Sequence, residues 1–90
     1  MATVNIEIQK GGWLNLETVG SLTLTNNQVY SMCFRGNNQN EVAIAESEPA
    51  AGFMGHPVGE DINFTFTYTG DSVWVKCEPL QAGKAIVVLT

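Results

Sequence analysis

Apolar and polar residues alternate at every second position along most of this chain, and that repeat belongs to strands with one buried face. Ile62, Phe64, Phe66 and Tyr68 stand against Asn63, Thr65 and Thr67. Val4, Ile6 and Ile8 stand against Asn5 and Glu7, and Val73, Val75 and Cys77 against Trp74 and Lys76. In WLNLETV, Leu14 and Leu16 oppose Asn15 and Glu17; in SLTLT, Leu22 and Leu24 are expected to face inward. QVYSMCFR carries bulk on both faces, with Tyr30, Met32 and Phe34 opposite Val29, Ser31 and Cys33, which predicts a central strand. EVAIA and the closing KAIVVLT complete the set.

Turn residues punctuate these runs. Gly11 and Gly12, Gly20, the pair Asn26–Asn27, the polar loop RGNNQNE, Thr69-Gly70-Asp71 and EPLQAG all fall between them. About seven to eight short strands at this rhythm predict an all-β fold, a small antiparallel β-sandwich or jelly-roll-like barrel. No helix is expected beyond one turn in AESEPAAGFM, which Pro49 and Gly52 confine. The 90 residues carry no linker, repeat or low-complexity tract, so residues 1–90 read as one domain.

Charge removes several classes of function. Nine acids against four bases give a net charge of −5, and Lys10, Arg35, Lys76 and Lys84 are scattered. Counterion release from nucleic acid, and attraction to anionic lipid, both need a clustered basic surface, so neither partner is expected. No apolar run approaches the ~20 residues that span a bilayer. The chain opens on Met1 without the basic and apolar regions of a secretion signal, so cytoplasmic synthesis is expected.

Catalytic and metal chemistry find few partners. The single histidine, His56, would have to pair with Cys33 or Cys77 to activate a nucleophile, and both cysteines alternate into strand cores. A structural zinc needs four ligands, and these three residues are the most the chain offers. A calcium loop pattern is absent, and the acid pairs Glu46/Glu48 and Glu60/Asp61 read as solvated rims. No catalytic residue, cofactor or metal is therefore assigned. Cys33 and Cys77 could form one disulfide in an oxidising compartment, and two free core-filling thiols are the preferred reading.

Exposed aromatic and apolar side chains offer the remaining chemistry. Trp13, after the Gly-Gly break, and Trp74, opposite the Val73–Val75 face, are candidates for an interface anchor or a platform that stacks a sugar ring. KAIVVLT is apolar on both faces, and a strand buried on both sides needs a covering layer. Val87 and Leu89 are accordingly placed at a subunit interface in a homo-oligomer. SEPAAGFMGHPVGED, residues 47–61, is read as a rigid crossover between two sheets, with Phe53 and Met54 tucked onto the core and also counted as candidate contact residues.

The segment EVAIAESEPAAGFMGHPVGEDINFTFTYTGDSVWVKC resembles small bacteriophage virion proteins of the head-decoration, head-fibre or tail-adaptor kind. In these, a VAIA-like strand (residues 42–45 here) leads to a P-x-x-G loop (49–52). An apolar residue with a GE turn (58–60), a threonine-rich strand and a G-x-x-VWV strand (70–75) follow. The resemblance implies a non-enzymatic structural subunit made in the host cytoplasm and built into the virion. It further implies protein–protein contacts with other virion proteins and an oligomer that is often a trimer. The alternative is a carbohydrate-binding or host-recognition module that uses an exposed tryptophan on a glycan.

Overall fold

A computed structural model describes residues 3–80 and 83–90. Gln81 and Ala82, within the expected last turn EPLQAG, lie outside the described residues, as do Met1 and Ala2. The elements are β1 (Val4–Ile8), β2 (Trp13–Asn15), α1 (Leu16–Gly20), β3 (Val29–Arg35), β4 (Asn40–Ala45), β5 (His56–Val58), β6 (Phe64–Thr67), β7 (Ser72–Cys77) and β8 (Ala85–Leu89).

Two four-stranded antiparallel sheets form, in the orders β1-β8-β3-β6 and β2-β7-β4-β5. The partners follow from a single long hairpin whose tip lies between β4 and β5. Across it β4 meets β5, β3 meets β6, β2 meets β7 and β1 meets β8. Rolling that hairpin sends alternate pairs to opposite sheets, and the added ladders β3–β8 and β4–β7 close each sheet. This is the jelly-roll arrangement, an all-β sandwich as the alternation predicts.

Alternation decides the core. Tyr30, Met32 and Phe34 of β3, Val73, Val75 and Cys77 of β7, and Ala85, Val87 and Leu89 of β8 all point between the sheets. Tyr30 stacks on Phe66 across the β3–β6 ladder, centroids 5.7 Å apart. β3 lies inside its sheet, between β8 and β6, as its bulk predicts.

Two segments depart from the alternation. WLNLETV is a strand only to Asn15, and then becomes α1. The Asn15 side chain accepts hydrogen bonds from the amides of Glu17 (3.0 Å) and Thr18 (3.3 Å), capping the helix that the alternating pattern hides. Ser21, with φ of 50°, ends it. Leu16 is still buried, because a single helical turn can point it inward as a strand would.

SLTLT is not a strand either, although Leu24 is buried as expected. Side chains supply what a ladder partner would have supplied. The Leu24 amide donates to a Glu17 carboxylate oxygen (3.0 Å), and the Thr25 amide to the Tyr30 hydroxyl (2.8 Å). Asn26 and Asn27 do form the turn that follows, with φ of 65° at Asn27.

Candidate interaction surface

The 46–55 loop is the tip of the rolled hairpin. It joins β4 to β5 within one sheet, so of the stretch 47–61 read as a crossover only the part after β5, leading to β6, passes between sheets. Its path is set by Gly55, whose amide donates to Glu41 Oε1 at 2.7 Å. Glu41 shares an outward-facing row with Trp13, Lys76 and Pro57 across the four strands, so this bond pulls the chain onto the outer face of the sheet.

Trp13 lies under that loop. It is only 7% exposed although it stands on the outer face. The Phe53 ring packs against it at 6.2 Å and 53°, and Lys76 Nζ stands 5.5 Å from its ring centroid. Lys76 Nζ also reaches Ala51 O at 3.4 Å, bridging sheet and loop. The Trp13 indole N–H is buried without a hydrogen-bond partner. Trp13 is therefore a covered residue in this structure, and no open ring face is offered for stacking. Trp74 is half-buried on the same outer face, and its indole N–H donates to Ala45 O at 3.0 Å.

Phe53 and Met54 were expected to tuck onto the core, and the structure corrects this. Phe53 is 50% exposed and packs on Trp13 of the outer face instead of on the core, and Met54 is 86% exposed. With Ile44, 43% exposed, they border an apolar cleft of about 380 Å³ between β4 and the loop. Pro49, Ala43, Ala45 and Gly55 contribute to the same walls. Glu46, Ser47 and Glu48 form an exposed acidic rim beside it.

Val87 and Leu89 are corrected in the other direction. Both face the chain's own core, at 0% and 3% exposure, with the second sheet as their covering layer. The outward residues of β8 are Ile86 and Val88, half-buried in rows with Glu7 and Arg35, and with Asn5 and Cys33.

His56 begins β5 opposite Val42, and its ring lies 5.3 Å from Phe64 of the other sheet. It packs across the open side of the sandwich and touches neither cysteine. Both cysteines are free. Cys77 fills the core, and burial pushes its thiol up to about 12. Cys33, expected in the core, instead faces outward from β3 opposite Val88. They belong to different sheets.

The second acid pair is structural. Glu60 accepts from the Gly36 amide at 3.1 Å, and Asp61 pairs with Arg35 at 3.5 Å, fastening the chain after β5 to the end of β3. Among the described residues, no three His, Cys, Asp or Glu side chains converge. No helix among them is long and apolar enough to cross a membrane.

RGNNQNE reads as a plain polar loop in the sequence, but Asn37 and Asn40 within it turn inward. Both are buried. Asn37 donates to Asn40 Oδ1 (2.9 Å), while Asn40 donates to Asn37 O (2.8 Å) and Val58 O (3.0 Å). A composition of many asparagines gives no sign of which will turn inward.

No family model matches this chain, and no curated protein or solved structure is significantly similar to it.

Proposed function

We propose that this chain is a non-enzymatic structural subunit of a phage particle that acts through protein–protein contacts, with Phe53, Met54 and Ile44 as the contact surface. The observation that carries the contact role is the exposure of three large apolar side chains around one cleft, Ile44 on β4 and Phe53 and Met54 on the loop that the Gly55–Glu41 hydrogen bond holds in place. Clustered exposed apolar residues mark interaction sites far more often than scattered ones do. The phage assignment rests on the sequence resemblance described above. Jelly rolls build viral capsid domains, and also lectins, so the fold is compatible with it by analogy alone.

The glycan reading is the weaker of the two, because Trp13 is covered and the Trp74 indole N–H is already engaged. Quantitative mass spectrometry on purified particles of a phage that encodes the chain tests the proposal. A fixed copy number per particle supports it, and absence from particles sinks it. Light scattering of the free chain tests the trimer that the resemblance implies.

A further inference from the structure

We infer that the free edge of β4 beside the 46–55 loop is a strand-addition site for an extended segment of another protein, apolar at its centre and flanked by lysine or arginine. The inference rests on the contact role proposed for this face and specifies the partner's chemistry.

β4 pairs with β7 along its whole length, from Asn40 to Ala45, but with β5 only from Asn40 to Val42. A hairpin continuing straight would set residues 53–55 opposite 43–45. Instead the chain turns onto the outer face at Gly55, where its amide meets Glu41. The slot beside residues 43–45 is left without a strand.

The backbone in that slot is polar and oriented. Gly55 lies against the Val42 carbonyl, so that carbonyl faces the β5 side. In an antiparallel sheet, alternate residues turn both backbone polar groups to the same edge. The Ile44 N–H and C=O therefore face the β5 side as well, beyond the end of β5. Such an edge is a template for an added strand, in which backbone bonds give affinity and pockets for alternate side chains give specificity.

The apolar cleft of about 380 Å³ lies along this edge, with Pro49, Phe53 and Met54 as its far wall. It can take an apolar side chain of the incoming strand. Charge selects the flanks, since Glu48 lines the cleft, Glu46 adjoins it, and no lysine or arginine is among the lining residues. A second copy of the chain, at −5, would bring more negative charge to the same place. A cationic segment of another protein fits better.

The test titrates the ¹⁵N-labelled full chain with a heptapeptide of alternating valine and threonine that carries lysine at each end. Amide shifts should centre on Ala43, Ile44 and Ala45. Methylating the central valine nitrogen should weaken binding roughly tenfold, the loss expected for one or two backbone hydrogen bonds. Glutamate ends should weaken it further. No binding at millimolar peptide, shifts centred elsewhere, or equal affinity for the methylated peptide would each overturn the inference. The virion reading is judged separately by particle composition. A chain absent from particles that still binds this peptide at Ile44 keeps strand addition and loses the virion role.

Discussion

Gly55 sits so close to Trp13 that a methyl on its Cα would lie 2.6 Å from the indole Cη2 and 2.8 Å from the Val42 carbonyl oxygen. One contact is a ring wedged between sheet and loop, and the other is backbone, so neither can yield easily. The loop covers Trp13 only because position 55 has no side chain. Gly55→Ala should therefore lift the loop and cost about 1–3 kcal/mol, as overpacking does. In a Trp74→Phe background, Trp13 fluorescence should shift to the red and urea unfolding should begin earlier. An unshifted spectrum would show that the loop is not seated on Trp13.

The alternation made most of this fold legible and misled where local side-chain bonds replaced a strand. SVWVKC shows its buried face directly, and INFTFTY does so from Phe64 onward, because side chains in a strand must alternate. Ile62, ahead of β6, is exposed, and KAIVVLT, apolar on both faces, did not reveal that Val87 and Leu89 face the chain's own core. Leu14, Leu16 and Leu24 also turn inward, but the alternation could not reveal that Asn15 caps a helix or that Glu17 and Tyr30 satisfy the 24–25 backbone. Both depend on local side chain to backbone bonds, which compete with sheet formation and leave no periodic trace. The contact surface was legible in part. Phe53 and Met54 stand out in the sequence as apolar loop residues, but the seating of Phe53 on Trp13 instead of on the core is a tertiary contact that no local pattern reveals.

The cap itself can be measured. Asn15→Ala removes the acceptor for two helix amides and should lower stability by about 1 kcal/mol, while Asn15→Asp should retain most of it. Chemical denaturation of both variants decides the point. Equal stability of Asn15→Ala and the parent chain would argue that α1 is held by Leu16 burial alone.

Asn40 links two chain segments through one amide group. Asn40→Ala takes away the donor to Asn37 O and Val58 O and the acceptor for Asn37, three hydrogen bonds in a buried site. A loss of about 2–4 kcal/mol is expected. Hydrogen exchange should quicken at β5 more than at β1, since Val58 belongs to β5.

Cys77 gives a pH dependence with a definite sign. Its folded thiol is raised from 9.0 to about 12 by burial. The unfolded chain thus gives up the proton first as pH rises. The contribution to stability is complete below pH 9 and is lost progressively as pH climbs toward 12. Cys77→Ser or Cys77→Ala should flatten that part of the stability curve. At neutral pH, a thiol reagent should modify Cys33 in the folded chain and reach Cys77 only on unfolding.

The contact role of the 46–55 loop is tested most directly by oxidative footprinting of Met54, with buried Met32 as the internal reference. In the free chain, Met54 should oxidise rapidly and Met32 should not. In intact particles, Met54 should be strongly protected while Met32 stays unchanged. Met54 oxidising in particles as fast as in the free chain would contradict the assignment of this loop as the surface that meets a partner.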